Sequence, residues 1–247
     1  MSNSPYTVVI PARFASTRLP GKILADIAGK PMIAHVVDRA NESQAERIIV
    51  ATDDQRIVEA LNGFDCEVCM TREDHLSGSD RLAEVVDFKG FSDNEIVVNV
   101  QGDEPLVPGR LIDEVAQSLA SAQDAVMSTA AHKIEDLDDL NDSNVVKVVL
   151  SQSGRALYFS RAAIPFAQNQ RTVDAWHHIG IYAYRAGFLK QYAGLSKSEL
   201  EQTESLEQLR VLDNGYTINV KTVDYDTGFG VDTQADLERV RRIMASQ

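Results

Sequence analysis

Cysteine is scarce in this chain: among 247 residues there are two, Cys66 and Cys69. Their CEVC spacing superficially offers a redox pair or half a zinc site, but no second CxxC exists to complete one. Val68 and Met70 make the segment read as a strand, where residues three apart face opposite sides. The sulfurs then diverge, and both cysteines are expected as buried apolar residues. Long hydrophobic runs are also missing. No stretch nears the roughly 18 apolar residues of a membrane helix, and the opening MSNSPYT lacks the basic start and apolar centre of a signal peptide. A cytoplasmic protein without a membrane partner is expected. Positive charge is in short supply, with 24 Lys and Arg against 37 Asp and Glu, a formal −13. That balance speaks against nucleic acid or an anionic membrane as partner, so any anionic ligand must be gripped by local cations. Repeats, linkers and low-complexity tracts are absent.

What is present suits a globular α/β protein. Hydrophobic residues make up 44% of the chain, enough to fill the core of one large domain or two small ones. Val8, Val9 and Ile10 form a short β-branched run that reads as a buried parallel strand ended by Pro11. Helical spacing follows at Met32, Ile33, Val36, Val37 and Ala40. Arg47 to Thr52 reads as a second strand, Ile57 to Leu61 as a helix ended near Gly63, and Glu67 to Met70 as a third strand. Leu82, Val85 and Val86 mark a helix, Glu95 to Val100 a fourth strand, Pro108 the start of a helix to Leu119, and Ala125 to Ala131 a further strand. This alternation predicts a mostly parallel open sheet with helices on both faces.

From about Glu135 the pattern changes. Strands at Val145 to Leu150, Arg155 to Ser160 and His177 to Tyr184 look like an antiparallel insertion. Its apolar Ile164, Pro165, Phe166 and Trp176 suit either a dimer surface or a ribbon folded onto its own core. Helical patterns return at Ala186 to Tyr192 and Ser198 to Leu212, then a strand at Ile218 to Val223 and a helix capped by Thr233. The expected organisation is one domain, 1–247, with a dimerising or sugar-binding insertion at about 135–195.

Three segments carry charged residues in places that suit chemistry. After the first strand, Arg13, Arg18 and Lys22 stand among small residues at the carboxyl end of the sheet, where open α/β sheets take ligands. A polyphosphate is the economical anion for them; the alternative is a solvated basic loop. A Walker loop is excluded, because Gly21–Lys22 is not preceded by the required spacing and position 26 is Asp. The fourth strand delivers Gln101, Gly102, Asp103 and Glu104 to the same edge. A carboxylate facing cationic phosphate binders is where a hard Mg²⁺ is expected, with Asp103 the leading ligand, unless GDEP is only a turn. GFGVDT places Asp232 in a similar setting, as a second ligand or as helix punctuation. Arg161, His178, Glu207, Gln208 and Arg210 offer one cation for a carboxylate and several groups for hydroxyls, a set that fits a sugar acid. Each has a structural alternative, a buried histidine for His178 and a helix-surface pair for Glu207 with Arg210.

PARFASTRLPGK, ATDD, HLSGSDR, NVQGDEP, LYFSRAAIP, HIGIYAYR, LEQLRVL and GVDT occur in this order. The chain resembles the 3-deoxy-manno-octulosonate cytidylyltransferase family over Val8 to Arg241, with PAR-x-x-S-x-R-x-P-G-K the specific part. It departs at Ala163, where the family usually has proline, and at Ser79, where it usually has threonine. The resemblance implies a nucleotidyltransferase-type α/β fold with a smaller dimerising part, forming a homodimer. It implies transfer of CMP from CTP to the 2-hydroxyl of 3-deoxy-D-manno-octulosonate (Kdo) for lipopolysaccharide synthesis. Arg13 and Lys22 would hold the triphosphate with Arg18 assisting, and Asp103 and Asp232 would bind Mg²⁺. Ser77, Ser79 and Arg81 would line the cleft near nucleotide and sugar, and Gln101, Arg161, His178, Tyr182, Glu207 and Gln208 would surround Kdo.

Overall fold

The structure, a computed structural model, describes residues 4–15, 19–75, 77–168 and 174–246. Strand β1 (Tyr6–Ala12) is followed by a 3-10 turn at Lys22–Leu24 and a minimal hairpin, β2 (Asp26–Ile27) and β3 (Lys30–Pro31). Then come α1 (Met32–Asn41), β4 (Arg47–Thr52), α2 (Gln55–Ala60), β5 (Glu67–Met70), α3 (Gly78–Phe88), β6 (Ile96–Asn99), α4 (Gly109–Ser121) and β7 (Met127–Lys133). The remainder is α5 (Leu137–Asn141), β8 (Lys147–Leu150), β9 (Ala156–Ser160), β10 (Trp176–Arg185), α6 (Ala186–Tyr192), α7 (Glu199–Glu204), α8 (Gln208–Asp213), β11 (Ile218–Val223) and α9 (Gln234–Met244).

The main sheet runs β11-β7-β10-β6-β1-β4-β5, and β8 joins it through β10 while pairing with β9. The pairs β1/β4, β1/β6, β4/β5 and β7/β11 are parallel, whereas β10 runs against both its neighbours. Strand alternation splits the core. Val8 and Ile10 pack on one face with α1 and α4, and Val9 packs on the other with α3 and α6. Leu111, Ile112, Val115 and Leu119 of α4 are essentially inaccessible, each contributing about 2 kcal/mol by burial. Cys66 belongs to the first face and Cys69 to the second, so the sulfurs diverge, and burial pushes the Cys66 thiol up to about 11. Among the described residues no group of three or more His, Cys, Asp or Glu is placed to hold a metal, and no helix is long and apolar enough to cross a membrane.

Two segments differ from the sequence expectation. β10 does pair antiparallel with β8 at Trp176 and His177, but it also fills the gap between β6 and β7 in the main sheet, with a bulge between Ile179 and Tyr182. Its pairing joins residues far apart in the chain, which local patterning does not reveal. The helix expected over Ser198 to Leu212 is broken into α7 and α8 by Ser205, at φ 53°. Its apolar spacing, Leu206, Leu209 and Leu212, runs on past a left-handed residue that a side chain adopts at a cost of about 1 kcal/mol.

Candidate active site

Because β1, β4, β5 and β6 are parallel, their carboxyl ends share one edge of the sheet. Arg13, Asp53 and Thr71 follow those ends directly, and Gln101 lies two residues beyond the end of β6. At Gly102 an added Cβ would lie 2.9 Å from the Pro11 carbonyl oxygen, so glycine lets the chain after β6 cross the end of β1. At Gly228, φ +74°, an added Cβ would lie 2.7 Å from the Leu106 carbonyl oxygen, a comparable approach as the chain returns toward α9. Val231 then donates its N–H to the Asp103 carbonyl at 2.8 Å. A small apolar cluster of Ile27, Met32, Val231, Leu237 and Val240 pins α9 against the β2/β3 hairpin.

This latch brings two distant carboxylates to one cation. Lys22 Nζ donates to Asp103 Oδ2 at 2.5 Å, to the Val231 carbonyl at 2.7 Å and to Asp232 Oδ1 at 3.2 Å. The two contacts cap the separation of those carboxylate oxygens at under about 6 Å, and a shared Mg²⁺ with ligand lengths of about 2 Å would need them drawn to within about 4 Å. Lys22 is buried while both aspartates keep solvent access, 28% for the Asp103 side chain and 47% for that of Asp232. Adjacent Glu104 is pushed up to about 8 by burial first, then by the charges of Asp103 and Asp232. The surplus of carboxylate oxygens over cations suits a divalent metal.

Arg13 donates to the Ser77 carbonyl at 2.9 Å, at the start of α3. The Ser77 hydroxyl is engaged in a capping box with Asp80, each accepting from the other's backbone N–H at 3.1 Å. Arg81 is fully buried, bonded to Thr71 and, at 2.5 Å, to Asp53, so it ties the ends of β4 and β5 together. Arg18 lies outside the described residues.

Two residues before Asp103, Gln101 enters the lining of a cavity of about 260 Å³, shared with Ser79, Tyr182, Glu207 and Gln208. The break at Ser205 turns residues 205–208 into this wall. Arg210 is held by Glu201 through a two-pronged pair, 2.7 and 2.5 Å, and so does not form the helix-surface pair with Glu207. Ser79 donates to Glu207 Oε2 at 3.3 Å, and the surrounding protein raises the Glu207 carboxyl above the ordinary carboxylate range. Burial also raises the phenols of Tyr182 and Tyr184, which stay protonated donors.

Two expected sugar residues are not among those lining this cavity. His178 Nε2 meets Thr129 Oγ1 at 3.0 Å, and its ring lies 5.4 Å from that of Tyr182. Burial, followed by His177, pushes it down to about 3. Thr129 sends its proton to the Ile179 or Ile181 carbonyl, so Nε2 is the donor of the neutral ring. Arg161 donates Nε to the Glu204 carbonyl at 2.8 Å and a terminal nitrogen to the Ser143 carbonyl at 2.9 Å. Sequence reasoning missed Glu204, whose carboxylate accepts from Ser160 Oγ at 2.6 Å and Arg161 N at 2.9 Å. It also missed Asn99 and Tyr184 in the cavity. For Asn99 the available signal was a polar residue in the otherwise apolar run IVVNV.

An open sheet with a cation, two carboxylates and a polar cavity at its carboxyl edge suits transfer chemistry on a phosphorylated substrate, the class of reaction that α/β nucleotidyltransferases perform. Residues 7–220 match the cytidylyltransferase family. The 3-deoxy-manno-octulosonate cytidylyltransferases of Yersinia enterocolitica and Hahella chejuensis are 55% and 54% identical to the chain, with 98% of it covered in each case and 99% and 98% of theirs. A solved CMP:2-keto-3-deoxy-manno-octonic acid synthetase complexed with CTP superposes with a TM-score of 0.92 at 44% identity, covering 98% of this chain and 99% of that one. A cytidylyltransferase from Leptospira borgpetersenii, at 15% identity and a TM-score of 0.65 over 98% of this chain and 87% of that one, shares the fold. The chain belongs to the 3-deoxy-manno-octulosonate cytidylyltransferase family.

Proposed function

We propose that this enzyme transfers CMP from CTP to the 2-hydroxyl of Kdo, releasing diphosphate, with Mg²⁺ as its metal. The observation that carries the reading is the convergence of Asp103 and Asp232 on Lys22, next to a cavity edged by Gln101. Asp103 and Asp232 would hold the Mg²⁺, which when bound supplies charge neutralisation to the triphosphate and acidity to a nearby hydroxyl. Lys22 and Arg13, with Arg18 assisting and Ser77 on the nucleotide side, bind the phosphates and neutralise the leaving diphosphate. Gln101, Tyr182, Glu207 and Gln208 orient the sugar hydroxyls from the cavity wall, while Ser79 steadies Glu207. His178 backs Tyr182 as a neutral ring, Arg81 fixes the strand ends, and Arg161 is the cation for the sugar carboxylate. The 2-hydroxyl attacks the α-phosphorus in line with the departing diphosphate, and no covalent enzyme intermediate forms.

The chain acts in the cytoplasm as a homodimer. Leu157 and Phe166 support the dimer, being 60% and 85% exposed on and after β9, whereas Trp176 packs into the chain's own core. The test incubates the protein with CTP, Mg²⁺ and a panel of Kdo, its 8-amino analogue and sialic acid, and measures diphosphate. Release with Kdo and not with sialic acid is expected; binding of CTP with no release for any acid overturns the reading. Light scattering checks the dimer.

A further inference from the structure

One buried polar side chain in the cavity has no task in this scheme. Asn99 ends β6, is 2% exposed, and lines the cavity two residues before Gln101. Its Oδ1 is buried without a hydrogen-bond partner. On the wall formed by α8, the Nε2 of Gln208, a residue 5% exposed, is in the same state. Of the Asn99 amide, the oxygen is the atom left without a partner, and Tyr184 lines the same cavity.

An orphaned acceptor and an orphaned donor in one cavity make a chemical specification. A phosphate or carboxylate only accepts and would leave Oδ1 unsatisfied, adding negative charge beside Glu207. A sugar hydroxyl both donates and accepts, so two hydroxyls of one polyol satisfy both amides. We infer that Asn99 is a specificity-determining residue for the acceptor sugar, its Oδ1 accepting from one sugar hydroxyl while Gln208 Nε2 donates to another sugar oxygen. This rests on the reading that the cavity takes the sugar acid. It also fixes the sugar's orientation: the hydroxyl-bearing end lies against β6 and α8, and the carboxylate lies away from it.

The test is a cycle between protein and substrate. Asn99→Ala is assayed with Kdo and with Kdo analogues each lacking one hydroxyl other than the reacting one. CTP affinity and the melting temperature are followed as controls. With Kdo, kcat/KM is expected to fall roughly 10- to 100-fold while the KM for CTP stays within about twofold. One deoxy analogue is expected to lose a similar factor with the wild-type enzyme and nothing further with Asn99→Ala. If Asn99→Ala loses CTP binding through misfolding, Asn99→Ser is used for the same cycle. An unchanged kcat/KM for Kdo, or an equal penalty for every analogue in both proteins, overturns the assignment. So does a wild-type series in which no deoxy analogue costs more than a few-fold. Failure of wild-type enzyme to use Kdo at all refutes instead the reading beneath it, so the two failures are distinguishable.

Discussion

Replacing Lys22 by methionine keeps the buried stem and deletes the ammonium. The charge has three oxygen partners, Asp103, Asp232 and the Val231 carbonyl, at 2.5 to 3.2 Å. Removing one partner of a fully buried pair costs about 3–5 kcal/mol, and an exposed pair is worth about 0–1 kcal/mol. The lysine is buried but its carboxylates are 28% and 47% exposed, so the loss should lie between, at about 2 kcal/mol. For a domain of this size that lowers the melting temperature by about 4–8 °C. The second consequence has the opposite sign. In the wild type a dication must compete with the ammonium for the same oxygens, whereas Lys22→Met leaves two carboxylates facing each other. Without nucleotide, saturating Mg²⁺ should therefore raise the melting temperature of the variant more than that of the wild type. Turnover should nonetheless fall by about 10²- to 10³-fold, because the phosphates lose a fixed charge. Thermal unfolding with and without Mg²⁺ reads both effects. A variant as stable as the wild type, with the same response to Mg²⁺, would refute the view that Lys22 holds the two aspartates together.

Asp103→Asn should lower kcat by about 10³-fold or more with folding intact, and near-normal turnover would remove Asp103 from the metal site. Burial keeps His177 down at about 4 and His178 at about 3, with His132 and His177 as the respective second causes, whereas an unfolded-chain imidazole titrates near 6.5. The unfolded chain then binds more protons than the native one below about pH 6.5, so stability is present above that value. It drains away as the pH falls toward about 4, by up to about 1.4 kcal/mol per pH unit for each imidazole. Denaturant melts of His178→Gln across that window should show a shallower slope, and an unchanged slope contradicts the assignment. Glu204→Ala leaves Ser160 Oγ and Arg161 N without their acceptor, and should raise the KM for Kdo about tenfold while leaving that for CTP alone. Equal effects on both substrates would mean that Glu204 supports the fold in general.

The parallel half of the sheet was legible because its strands are continuous apolar runs. RIIVAT and EVCM occupy β4 and β5 residue for residue. The clustering of Arg13, Lys22, Asp103 and Asp232 at one edge was legible for a related reason, since each follows a strand end or precedes a helix. The internal assignment of those charges was not. Nothing in the spacing shows Lys22 spanning both aspartates, which depends on loops crossing at Gly102 and Gly228, or Asp53 drawing Arg81 out of solvent, which depends on α3 packing back against β4. β10 was legible as a strand over His177 to Tyr184, but its place between β6 and β7 was not, because pairing over long separations leaves no local signal. Asn99 and Tyr184 were hidden by the strand pattern itself, which reads every inward position as core.

The cluster of Ile27, Met32, Val231, Leu237 and Val240 sits apart from the two large cores flanking the sheet. One of the aspartates thus hangs on five side chains that the main body does not need in order to stand. Gentle denaturation that undocks the final helix should silence the enzyme while the central scaffold still gives its native spectroscopic signal, so inactivation precedes melting.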